Sequence, residues 1–120
     1  MSFPRRGEIY LVTFDPALGH EIKKTRPALV IQNDIGNRHS AVTIVAAIIS
    51  KISPVPYPVD VTVNPTKGNG LTVESAVQLG HIRSIDARRL VKRVGVLDPA
   101  TMQRVDEALK ISLGLVPLAK

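Results

Sequence analysis

Apolar and polar residues alternate over residues 8–14 (EIYLVTF), and the alternation stops at Asp15-Pro16, which predicts a half-buried strand closed by a turn. A polar stretch follows from Gly19, and PALVIQ (27–32) resumes as a second strand before NDIGNRHS breaks the pattern again. AVTIVAAIIS (41–50) is β-branched and nearly continuous, the composition of a strand covered on both faces. YPVDVTV (57–63) alternates, with Pro58 near its start as an edge strand tolerates, and KGNG (67–70) reads as a turn. ESAVQL (74–79) and LVKRVGVL (90–97) supply the later strands, with RSIDARR (83–89) as a short helical or turn-like connection between them. Only the C-terminus carries a helical period. Asp98 is a good N-cap, Pro99 suits the first helical position, Met102, Val105, Leu109 and Leu113 recur on one face, and Gly114 closes the segment.

Short strands at regular intervals with one terminal helix predict a mainly β fold, a small and strongly bent sheet or half-open barrel whose exposed end the helix covers. The chain has 120 residues and no repeat, low-complexity tract or linker, so residues 1–120 are expected to form a single domain. Apolar residues at 44% and charged residues at 22% are the balance of a globular chain, and no apolar run nears the roughly 18 residues of a membrane span. The opening MSFPRRGE has no apolar signal-peptide core and cysteine is absent, which together suit a reducing cytoplasm.

Charge narrows the partners. Sixteen Lys and Arg against ten Asp and Glu leave a net charge of +6, which favours nucleic acid, phosphorylated ligands or an acidic protein. The cations fall in two groups, Arg5, Arg6, Lys23, Lys24 and Arg26, then Arg83, Arg88, Arg89, Lys92 and Arg93, opposed locally only by Asp86. The two groups are expected to share one face, although for any single lysine solvated surface charge is the plainer reading. Three histidines, at 20, 39 and 81, without H-E-x-x-H spacing and without cysteine, give no metal site. KGNG lacks the Lys-Ser/Thr of a phosphate-binding P-loop, and no serine sits in a G-x-S-x-G context.

GHEIKKTRPALVIQND (19–34) sets a histidine, a glutamate, three cations and a threonine directly before a strand. A loop carries such groups without burying them, while the strand behind it fixes where they point, so the stretch is a candidate site. Together with RRGEIYLVTFDP, IVAAI, HIRSIDARRL and VDEALKISLGL, in this order and over nearly the whole chain, GHE and KTRPALVIQND resemble the MazF/PemK family of toxin endoribonucleases from toxin–antitoxin systems. The resemblance implies an SH3-like or CcdB/PemK-type small barrel and a homodimer. It also implies an mRNA interferase that cleaves single-stranded RNA at short motifs without metal or other cofactor, neutralised by a cognate antitoxin with a disordered acidic tail.

Metal-free cleavage of RNA needs a base for the 2′-hydroxyl proton, an acid for the 5′-oxygen and cations around the phosphorane, and His20, Glu21 and Arg26 supply those types. By the resemblance Arg26 is the active-site arginine, His20 does acid–base work, and Glu21 orients Arg26 or acts as a base itself. Lys23, Lys24, Thr25, His81 and Arg83 are expected on the RNA. Two departures from the family pattern matter. Ile49 stands where the family has a threonine, and Ser50 takes that role only if a bulge or strand end re-aims it. Gly80 lacks the family carboxylate, His81 occupies the glutamine position, Gln78 replaces an arginine of the PemK-like branch, and Arg83 is kept. His81 stacks on a base or shuttles a proton, or else is a half-buried strand histidine bonded to backbone. The departures leave a second reading, a non-catalytic or weakened member of the same fold that binds RNA, antitoxin or DNA gyrase.

Overall fold

The structure is a computed structural model that describes residues 3–14, 25–55 and 57–118. In chain order its elements are β1 (Glu8–Thr13), β2 (Thr25–Val30), α1 (Asp34–His39), β3 (Val42–Ile49), β4 (Asp60–Val63), β5 (Ser75–Asp86), a 3₁₀ turn (Ala87–Arg89), β6 (Leu90–Val96) and α2 (Pro99–Ser112). The strands form one antiparallel sheet in the order β4-β5-β3-β2-β1-β6. The fold is thus mainly β with a C-terminal helix, as the hydrophobic pattern predicts, and β4 is the edge strand that Pro58 foretells.

Alternation gives the sheet two apolar faces. One carries Ile9, Leu29, Ala46, Ile48, Val61 and Val77, and α2 lies on it, burying Val105 and Ala108 against β4 and β5. The other carries Val12, Ala28, Val30, Val45 and Ile85 under Tyr10, Phe14 and Leu90. Both clusters need β2 and β3, which explains why those two segments read as nearly unbroken apolar runs. The α2 stripe differs from the predicted one at its end. Leu113 is the C-cap and 53% exposed, while Asp98 caps the other end as predicted, accepting from the Thr101 N–H at 3.0 Å.

β5 is the longest strand and it is not regular. Ala47 pairs with Gln78 but Ala46 pairs with Ile82, so Leu79, Gly80 and His81 have no partner on β3. This bulge is held at one residue. Leu79 is fully buried, its N–H donates to the Val59 carbonyl at 2.8 Å, and its carbonyl accepts from Ser112 Oγ at 2.7 Å. Burying a leucine contributes about 1.5–3 kcal/mol, more than the net 0.5–1.5 kcal/mol of one ladder hydrogen bond forgone, and Leu79 has both of its backbone groups satisfied besides.

Two stretches differ from their sequence reading. NDIGNRHS is a break in the strands but folds as α1, because Asn33 accepts from the Gly36 N–H at 2.7 Å and caps it. Its polar residues serve packing: buried Asn37 accepts from Thr43 Oγ1 at 2.7 Å and donates to the Gln32 carbonyl at 2.9 Å. RSIDARR is strand as far as Asp86, since Arg83 to Asp86 pair with residues of β3, and only Ala87–Arg89 turns.

The 66–70 turn is built on Asn69, a buried side chain that accepts from the N–H groups of Thr66 and Leu71 and donates to the Asn64 carbonyl. β6 lies directly on it, with the Val96 N–H donating to the Gly68 carbonyl at 2.9 Å. A Cβ at Gly95 would fall against the backbone of Gly68 and Asn69, which has no rotamer with which to give way. Gly95→Ala is therefore expected to destabilise the protein by about 1–3 kcal/mol, read as a lower urea midpoint at constant m-value. An unchanged midpoint would mean that β6 does not rest on this turn.

Candidate active site

On the sheet face turned away from α2, the register lines up Ala28, Ala47, Gln78 and Asp60 across β2, β3, β5 and β4. Strand residues two apart share a face, so Arg26 and Ile49 continue the same row toward the sheet end. At that end of the sheet a groove of about 760 Å³ opens, lined among others by Thr25, Arg26, Ile49, Ser50, Gln78 and His81.

Each of these side chains reaches the groove for a local reason. Thr25 and Arg26 begin β2, two residues earlier than the apolar run predicts, so the strand itself aims Arg26. Its guanidinium is exposed and has no hydrogen-bond or ion-pair partner among the described residues. Ser50 follows the last residue of β3 in a bend, is exposed, and escapes the alternation that would send it to the other face. That is the condition under which a serine takes over from a threonine at 49. Ile49, half-buried and opposite Ala76, offers the groove no donor.

His81 owes its position to the bulge. In a regular ladder it would follow Leu79 onto a β3 partner. Here the chain leaves β3 after Gln78, keeps Leu79 buried and leaves Gly80 and His81 exposed, with His81 at the groove. Bulges commonly re-aim a side chain beside an active site in this way. His81 is exposed rather than half-buried and its side chain has no hydrogen bond to a described residue, unlike the half-buried strand histidine of the alternative reading.

The groove is electropositive. Arg26 and Lys51 line it, and no carboxylate does among the described residues; Asp60 lies in a smaller adjoining pocket of about 80 Å³ with Lys51, Tyr57 and Gln78. Lys51, Thr72 and Ser75 are lining residues that the motif pattern did not single out. Gln78, which stands where the PemK-like branch has an arginine, lines the groove as well.

The rest of the basic residues are more dispersed than the sequence suggests. Arg83 shares the groove face but lies outside the lining, its guanidinium 5.2 Å from the centre of the Phe14 ring. Arg88 is tied to Asp86 at 2.9 Å; its side-chain and backbone hydrogen bonds pull that carboxyl down to about 2. Arg93 pairs with Glu8 at 2.8 Å, and Arg6 pairs with Asp106 of α2 at 2.7 Å while donating to the Ile31 carbonyl. Among the described members of the two basic groups, Arg6, Arg88 and Arg93 are thus engaged in holding helix, turn and strands together and do not join Arg26 at the groove. His20, Glu21, Lys23 and Lys24 lie outside the described residues.

The sequence and the fold both resemble those of known proteins. Residues 5–113 match the family described as the PemK-like, MazF-like toxin of type II toxin–antitoxin systems. The chain is 44% identical over 112 residues to the endoribonuclease EndoA of Bacillus subtilis (strain 168), covering 93% of this chain and 96% of that one. Among solved structures it resembles an endoribonuclease in complex with its cognate antitoxin from Mycobacterial species, at 28% identity and a TM-score of 0.74, covering 97% and 99% of the two chains. A MazE–MazF structure from Deinococcus radiodurans is similar at 27% identity and a TM-score of 0.76, with 94% and 97% covered.

Proposed function

The chain belongs to the PemK-like, MazF-like toxin family of type II toxin–antitoxin systems, and from that premise we propose that it is an endoribonuclease toxin that cuts single-stranded RNA in the Arg26 groove. The observation that carries the assignment to this groove is Arg26, an exposed cation free of described partners, fixed by a strand over a cleft that no described carboxylate lines. A planar guanidinium there holds two phosphate oxygens while negative charge grows on the phosphorane. His20 and Glu21 serve proton transfer and the orientation of Arg26. Ser50 donates to the phosphate in place of a threonine, and Thr25, Lys23, Lys24, His81 and Arg83 contact the RNA. Metal is not required.

A single toxin domain spanning the 120 residues, working in the cytoplasm as a homodimer, completes the reading. Exposed Leu113, Leu115 and Leu118 supply apolar surface for assembly, and no helix among the described residues is long and apolar enough to cross a membrane. The mycobacterial relative is held by its antitoxin; the +6 charge of this chain suits an antitoxin with an acidic disordered tail. Ile49 supports a second reading, a weakened enzyme that binds RNA better than it cuts it.

Incubation with a long RNA in EDTA, with mapping of the new 5′ ends, tests the proposal. The wild-type protein is expected to cut at a short recurring motif. Arg26→Ala is expected to lose a hundredfold or more in rate, from about 2–4 kcal/mol of lost transition-state stabilisation, with unchanged circular dichroism. Equal cleavage by both would take Arg26 out of the site.

The donor at the end of β3 is tested separately. Ser50→Ala is expected to lower the cleavage rate, and Ile49→Thr to add little in a protein whose Ser50 already serves the phosphate. A rise of about tenfold with Ile49→Thr, for roughly 1.4 kcal/mol, and no loss with Ser50→Ala would show that the donor is missing instead.

A further inference from the structure

We propose that His81 is the general base of the reaction, the group that takes the 2′-hydroxyl proton. The inference rests on the endoribonuclease reading and goes beyond the RNA contact assigned to His81 above. It starts from an imbalance in the groove. Cations and donors are plentiful there, with Arg26, Lys51, Ser50, Thr72 and Gln78, whereas a group able to accept a proton near neutrality is scarce. Arg and Lys are protonated at that pH, and hydroxyl and amide groups do not titrate there. Of the described side chains that line the groove, His81 alone is an imidazole, the group that most often serves as a general base.

The backbone supports the same assignment. The bulge spends three residues, Leu79 to His81, where a ladder would spend none, and it is fastened at Leu79 to Val59 on one side and to Ser112 on the other. What this anchoring delivers is the neighbouring imidazole, exposed at the same cleft as Arg26. Charged groups reach the groove from β2 as Arg26 and from the end of β3 as Lys51; Asp60 of β4 and Tyr57 lie in the adjoining pocket, and α2 meets the bulge through the uncharged Ser112.

The step balances without a co-reactant. The neutral imidazole accepts the 2′ proton as the 2′-oxygen bonds to phosphorus, the bond from phosphorus to the 5′-oxygen breaks, and that oxygen leaves with a proton from His20, the proton-transfer group of the proposed function, or from water. The products are a 2′,3′-cyclic phosphate and a 5′-hydroxyl. The imidazolium then returns its proton to water. Arg26 neutralises the phosphorane and transfers no proton.

Single-turnover cleavage of an RNA that the wild type cuts, followed from pH 5 to 9, tests the assignment. The wild-type rate is expected to rise with pH through the imidazole range. In His81→Ala the rising limb should vanish and the rate fall by about 10²–10⁴, while binding of a 2′-O-methyl copy of the same RNA stays within a few-fold. Free imidazole added to the buffer should restore part of the lost rate in His81→Ala and none in Arg26→Ala. The assignment is overturned if His81→Ala cuts within a few-fold of wild type, or if its loss lies wholly in affinity. It is also overturned if the limb survives in His81→Ala and disappears in His20→Ala. Absence of cleavage by the wild type would overturn the endoribonuclease reading itself, a result distinct from any of these.

Discussion

Three residues that β3 leaves unpaired decide what this sheet can do. Without the bulge at Leu79, Gly80 and His81, β5 would run straight past β3 and its side chains would keep strict alternation, with Gln78 and Gly80 on the groove face and His81 on the helix face. The bulge breaks that rule once. Leu79 stays in the core under α2, the bulge brings His81 to the groove that Arg26 lines, and beyond it Ile82 and Arg83 resume pairing with Ala46 and Val45. α2 thus acts on the groove from the opposite face of the sheet, through one hydrogen bond from Ser112 to the Leu79 carbonyl.

The same two-faced construction explains the groove's chemistry. A sheet buried on both sides at β2 and β3 leaves a ligand room only where the strands end, and there Arg26 at the start of β2 and Ile49 and Ser50 at the end of β3 line the groove. Elsewhere on that face Val12, Val30, Val45 and Ile85 fill the space under Tyr10, Phe14 and Leu90. Several cations outside the groove bind locally. Arg6 joins the N-terminal segment to α2, and Arg93 joins β6 to Glu8 of β1, so they help to hold the frame on which Arg26 and Lys51 line a groove that no described carboxylate lines.

Much of this was legible in the sequence where one physical rule acts alone. Period-two alternation located β1 and β4, the Asp98-Pro99 pair located the start of α2, and the KTRPALV run located both the core strand and Arg26. The rest was hidden where tertiary partners decide. α1 folds inside a polar stretch because Asn37 finds Thr43 and Gln32, which only the folded sheet brings near. β5 continues to Asp86 because β3 is there to pair with it, against the turn-like look of RSIDARR. The bulge was invisible because its cause is the distant carbonyl of Val59 and the hydroxyl of Ser112, neither of which leaves a mark in the sequence around Gly80. Ser50 and His81 were recognised as residue types without a direction, and the strand end and the bulge supply that direction.

The place of His81 depends on the pairing of β5 with β3, which nuclear Overhauser contacts between backbone protons of facing residues report directly. Contacts are expected between Ala47 and Gln78 and between Ala46 and Ile82 in the same molecule, with none joining Ala46 to Leu79. A contact between Ala46 and Leu79, continuing the register from Ala47 and Gln78, would mean a regular ladder, and His81 would then point away from Arg26.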